Sequence, residues 1–336
     1  MRKGWIVLAM AVVLSLGGCS GQEDTHKEKA TSVYETADMS LDTNIMAVGN
    51  KEITLNEFLF YVYQAKTAYD NGMTSSVWDF KWNDTQTIGE YTKEQILTEI
   101  AQIKVICIQA EEEGYALTEE ESNEAQVMAK QYVQSLPESA KEYNLTEELV
   151  GNIYKEHALG KKMYDVVAGT VDTTISDEEA NQITVGCIRV LTSGTDRNGN
   201  EVNLSQDQIK SAKQRAKSLL KQAKEQEDFI VYAQTVSDVK EVEMSFSKVT
   251  GEPELVETAF SMSKGDISDV IEVSNGFCIL YCKETYDEEK TIEYKEAIIH
   301  DREIQAFSQE YEKWSKKCKI VASQTLLDQI SLSAYE

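Results

Sequence analysis

The chain has 336 residues, 41% of them hydrophobic and 27% charged, which is globular composition and length enough for two domains or three. Its formal charge of −25 argues against a nucleic-acid partner, because phosphate binding needs clustered Lys and Arg, and acidity of this kind keeps a chain soluble. With only two prolines, much helix and few rigid loops are expected.

Residues 1–18 carry Arg2 and Lys3, then an apolar run shorter than the ~20 residues of a spanning helix, then small residues before Cys19. That is the layout of a secretory signal. The ending LGGC resembles the bacterial lipobox. The resemblance implies cleavage before Cys19, diacylglycerol on its sulfur, and a tether on the outer face of the cytoplasmic membrane. Residues 19–42 then read as the lipidated cysteine and a polar, aperiodic, disordered spacer.

Residues 43–178 predict a helical domain. A short apolar strand turns at Gly49-Asn50 into a helix whose start carries a T-x-x-E capping box, Thr54 and Glu57. An irregular connection holds Trp78, Phe80 and Trp82. A long helix over about Lys93 to Glu113 follows, with Ile96, Leu97, Ile100, Ile103 and Cys107 three or four apart and Gly114 as its stop. Thr118 and Glu121 open a further helix that ends before Pro137, and LTEELVGNIYKEHALGKKMYDVVAG gives the last.

Residues 179–285 predict an α+β domain. ITVGCIRVLT is strand-like, and Asn198-Gly199 is a hairpin signal. Asp196, Asn198 and Asn200 alternate like the start of a calcium loop, but Glu201 stands where that loop needs glycine, so no metal is assigned. Ser205 and Gln208 open a basic helix, and DFIVYAQTVSD forms a shorter one. The strand VEMSFSKV, the helix PELVETAF and the strand NGFCILYCKE complete the domain. Residues 286–336 are a charged helix through Trp314 and a terminal apolar stretch.

Two thiols lie on that last strand. Cys278 and Cys282 point to one face but are about 13 Å apart along it. A disulfide needs Cα atoms within roughly 7 Å, so they cannot bridge each other.

The order of elements over residues 183–285, and most specifically ETAFSMSKGDISDVIEVSNGF, resembles the parvulin-type peptidyl-prolyl isomerases. The helical region with VGNKEITLNEF is similar to the N-terminal domain of the PrsA and SurA foldases, where a parvulin domain follows a helical chaperone domain. PrsA is itself an extracellular lipoprotein. The resemblance implies a four-stranded antiparallel sheet with helices, and a C-terminal helix returning to the helical domain. It implies unfolded or proline-containing secreted polypeptides as partners, a membrane contact through Cys19, and no cofactor. A homodimer is compatible with it. Parvulins carry one histidine on the first strand and another on the last; aligned by the motifs, Cys187 and Cys278 take these places. The three histidines, His26, His157 and His300, fall outside the domain. The acidic or thiol position aligns with Val239, one residue from Asp238. Met244, Leu255 and Phe260 match the apolar pocket, Gly251 replaces a bulky residue, and Glu252 stands where glutamine is common.

The expectation is therefore a foldase-type chaperone whose isomerase site is degenerate, with a fully active isomerase as the alternative. If the fold holds, Cys187 and Cys278 are neighbours on adjacent strands, as packed thiols or as a disulfide. A solute-binding lipoprotein lacks support, because residues 43–170 show few strands, and a thiol oxidoreductase lacks a C-x-x-C.

Overall fold

The computed structural model describes residues 39–69, 77–195, 201–330 and 332. The signal sequence, Cys19 and most of the spacer lie outside these residues. The chain divides into two compact units, one running to Val171 and resuming at Glu303, the other Asp172–Arg302.

The first unit opens on a hairpin. Strands β1 (Asn44–Val48) and β2 (Lys51–Thr54) pair antiparallel through Gly49, whose φ of +56° suits glycine. The predicted turn is there, and a second strand stands between it and the helix; its four residues bury only Ile53 and so carry no apolar pattern. Helix α1 (Leu55–Tyr69) follows. Thr54 Oγ1 accepts from the Glu57 amide at 3.3 Å, one half of the predicted capping box. The Glu57 carboxylate turns instead toward Lys104. Helix α2 (Ile88–Glu113) starts earlier than predicted: Thr87 and Glu90 form a reciprocal capping box ahead of the apolar repeat, and Gly114 closes the helix at φ +79°. Helix α3 (Glu119–Ser135) has the Thr118–Glu121 box as predicted, and α4 (Glu147–Ala168) is capped by Thr146. The buried core includes Phe58, Leu59, Ile100, Ile153 and Met163.

The second unit comprises α5 (Asp177–Ala180), β3 (Ile183–Leu191), β4 (Ser193–Thr195), β5 (Glu201–Asn203), α6 (Gln206–Ala223), α7 (Phe229–Val236), β6 (Glu243–Phe246), α8 (Pro253–Ser261), β7 (Ile271–Val273) and β8 (Gly276–Glu284). It also takes in the start of α9 (Glu288–Ser315). The main sheet is antiparallel with order β6-β3-β8-β7. Strands β4 and β5 pair where the hairpin was predicted, although residues 196–200 of its turn lie outside the described residues. The two-residue strand period sorts the side chains. Ile188, Val190, Phe277 and Ile279 pack with α6 and α7, whereas Val185, Cys187, Cys278, Leu280 and Cys282 pack with Leu255 and Ala259 of α8.

From Glu303 onward α9 belongs to the first unit and adds Phe307, Tyr311 and Trp314 to its core. Strand β9 (Ile320–Ala322) then pairs antiparallel with β1, and α10 (Gln324–Leu327) buries Leu327. The fold is thus α+β, and the C-terminal segment returns to the helical unit. Strand β9 was not anticipated; its three residues are exposed and show no alternation. No helix among the described residues is long and apolar enough to cross a membrane.

Candidate functional site

The α8 face of the main sheet gathers the residues singled out from the sequence. Cys187 on β3 is paired in register with Leu280, and Arg189 with Cys278, so the two thiols are diagonal neighbours on one face. Both are buried, and the five cysteines of the described residues are free thiols. Cys187 and Cys278 are close enough for each thiol to act on the other's ionisation. That proximity lowers the Cys278 thiol below its ordinary range, with the Arg189 charge adding to the effect against burial. It raises Cys187, as burial also does. Cys278 is therefore the more readily ionised thiol of the two. Cys282 lies on the same face and in the same apolar cluster.

Arg189 is a site residue that the sequence reading passed over. It follows Cys187 at the next inward position of β3, and its side chain is only 13% exposed. It donates from Nη2 to the carboxylate of Glu252. Glu252 precedes Pro253 as the N-cap residue of α8, but its side chain makes no capping bond. The available signal was a charged residue on the inward alternation Val185, Cys187, Arg189 of an otherwise apolar strand.

Met244, Leu255 and Phe260 share one apolar cluster. Leu255 is fully buried, while Met244 and Phe260 are half-buried against the same cluster. Phe246, missed from the sequence, lies two residues beyond Met244 on β6 and meets Phe260 edge-on with ring centroids 6.3 Å apart. It also explains Gly251. A Cβ there would stand 2.5 Å from Phe246 Cδ2 and 2.6 Å from Val256 Cγ2, so neighbouring side chains already fill the space. The ammonium of Lys248 lies 5.7 Å from the Phe260 ring centroid. Asp238 is engaged elsewhere, as its offset implied: its carboxylate accepts from the Leu191 amide at 2.9 Å and pairs with Arg215 at 2.8 Å. Among the described residues no group of three His, Cys, Asp or Glu side chains is placed to hold a metal.

Apolar side chains, two neighbouring thiols and one ion-paired guanidinium thus share one face of the four-stranded antiparallel sheet. Residues 197–284 match the family model of rotamase, the PPIC-type PPIASE domain, so the chain contains such a domain. The match runs from before α6 through β8 and leaves out β3 with Cys187 and Arg189.

Among solved structures, the foldase protein PrsA of Lactococcus lactis is similar at 14% identity, over 84% of this chain and 96% of that one, with a TM-score of 0.36. PrsA of Bacillus subtilis is similar at 20% identity, over 76% of this chain and 99% of that one, with a TM-score of 0.27. A SurA-like chaperone structure of Campylobacter jejuni is similar at 15% identity, over 84% of this chain and 99% of that one, with a TM-score of 0.32. At such identities and TM-scores these likenesses carry no argument of their own. No curated protein matches the chain.

Proposed function

We propose that this chain is a lipid-anchored extracytoplasmic foldase that holds unfolded secreted polypeptides and slowly isomerises their prolyl bonds. The observation that carries the reading is the PPIC-type match of residues 197–284, joined to a sheet face where Met244, Leu255 and Phe260 meet Cys187 and Cys278. A peptide bond rotates over a barrier of ~18–20 kcal/mol with no bond made or broken. An apolar seat for the ring and polar groups that favour the twisted amide are what the reaction needs, and no nucleophile is required. A thiol is a weaker donor and acceptor than an imidazole and lacks its two hydrogen-bonding nitrogens, hence the slow turnover. The holding role draws on the first unit, where Phe80 is 60% and Trp82 56% exposed.

The test is protease-coupled isomerisation of a panel of X-Pro peptides by the full chain. A rate above the uncatalysed one is expected, falling about tenfold, or about 1.4 kcal/mol, in Phe260→Ala. No acceleration, with aggregation of a denatured test protein still slowed, would leave a chaperone without isomerase activity. The anchor is tested separately: labelled fatty acid should enter the wild type and not Cys19→Ala, and equal labelling of both would end that part of the proposal.

A further inference from the structure

We propose that Arg189 is the principal hydrogen-bond donor of the isomerase site, meeting the prolyl nitrogen of the substrate as its amide twists. This rests on the isomerase reading above. In a planar amide the nitrogen lone pair is delocalised into the carbonyl. Rotation out of plane localises it, so the nitrogen becomes an acceptor only as the transition state is approached. A donor fixed at that place binds the transition state better than the ground state, which is the condition for raising the rate.

The site offers few candidates for such a donor. Cys187 and Cys278 are buried and are weak donors. Arg189 stands directly opposite Cys278 in the sheet register, and its guanidinium pairs with Glu252. A guanidinium has five N–H groups in a planar fork, more than the Glu252 carboxylate uses. The Glu252 contact also fixes its position. Glu252 is the N-cap residue of α8, the helix that carries Leu255 and Phe260, so the fork is tied to the element that shapes the apolar seat.

Folding does not account for an arginine here. The neighbours on this face are Val185, Cys187, Leu280 and Leu255, all fully buried. A charge at an inward strand position among them is costly unless paired, and replacing such a pair by apolar groups is often neutral or stabilising. An aliphatic residue would serve the core at least as well. The small exposed part of the side chain is the part a bound peptide would meet.

The test measures kcat and KM of the full chain for an X-Pro peptide, in the wild type, Arg189→Gln and Arg189→Lys, with thermal melts of each. Arg189→Gln is expected to lower kcat by about tenfold or more while KM stays within about twofold, the pattern of an interaction made only in the transition state. Arg189→Lys, which keeps a charged donor without the fork, is expected to recover part of kcat. Both variants should melt as cooperatively as the wild type. Wild-type turnover in Arg189→Gln, or a loss that tracks melting and is no smaller in the lysine variant, would overturn the role of Arg189 alone. An inactive wild type would overturn the isomerase reading, and this role with it.

Discussion

Lys104→Met is expected to destabilise the helical unit by about 3–5 kcal/mol, because it leaves two carboxylates without the charge that holds them. Lys104 on α2 is 7% exposed and sits 2.8 Å from Glu57 of α1 and 2.6 Å from Glu156 of α4. Both oxygens of Glu156 accept from its ammonium, at 2.6 and 2.7 Å. Glu57 Oε1 is close but poorly aligned for a hydrogen bond, so that contact is mainly coulombic. Around the triad, Tyr61 and His157 share a 3.0 Å hydrogen bond, and burial, followed by the Lys104 charge, keeps His157 below its ordinary range. Burial opposes the charged form of Lys104, but the two glutamates outweigh it and hold its pKa above the usual value. A raised lysine contributes stability that is fully present below its unfolded pKa and lost as pH rises through the folded one, so it acts in full at neutral pH.

Glu57 is shifted in the same direction for a different reason. Burial raises its pKa and outweighs the pull of Lys104. A raised carboxyl favours the fold below its unfolded pKa and loses that contribution as pH rises through the folded value. Without Lys104 that pKa rises further. The deficit of Lys104→Met is therefore largest at neutral pH and narrows on acidification. Denaturant unfolding followed by tryptophan fluorescence reads this unit, since Trp78, Trp82 and Trp314 all belong to its core or connection. A loss below about 1 kcal/mol at pH 7, the range of an exposed pair, would show that water reaches the triad freely.

The same glutamate shows where sequence reading ends. T-x-x-E at Thr118 and Glu121 and S-x-x-Q at Ser205 and Gln208 are local motifs, and both close as reciprocal caps. T-x-x-E at Thr54 and Glu57 is equally good locally, yet a lysine 47 positions along the chain takes its carboxylate. Strand β9 is likewise set by its distant partner β1 and not by its own exposed residues. At the candidate site, the order of elements and the family resemblance were enough to bring Cys187 and Cys278 together with Met244, Leu255 and Phe260. Arg189 and Phe246 were not found, because their meaning depends on register and on α8. An arginine on a strand looks like an outward residue until its neighbours' faces are fixed. Phe246 matters through the room that Gly251 leaves, which appears only when β6 and α8 are packed.

Gly276→Ala is expected to cost the second unit about 3 kcal/mol or more, at the upper end of overpacking, because the obstacle is backbone. Gly276 opens β8 opposite Leu191 of β3, and it also pairs with Val273 across the tight turn to β7. A methyl group there would press into the Val190 carbonyl oxygen, with the Val190 carbonyl carbon at 3.0 Å and Leu191 Cα at 3.1 Å. No rotamer relieves a Cβ contact, so β3 and β8 must part at this end. Glycine is required here by the close approach of two strands. Gly194→Ala is the control, since nothing lies within 4 Å of a Cβ at that position. Amide hydrogen exchange over residues 183–191 and 276–284 measures the outcome, and protection should fall in Gly276→Ala and persist in Gly194→Ala. The consequence reaches the site because register decides which face a side chain serves. Cys278 is two residues from the obstacle and stands opposite Arg189. A one-residue slip of β8 would move Cys278 to the α6 and α7 face and bring Phe277 or Ile279 beneath the guanidinium. The variant should accordingly lose isomerase activity even where residual sheet survives. Unchanged protection in Gly276→Ala would mean that β3 and β8 do not approach as closely as this geometry requires, and that the pairing of Arg189 with Cys278 is not pinned from this end.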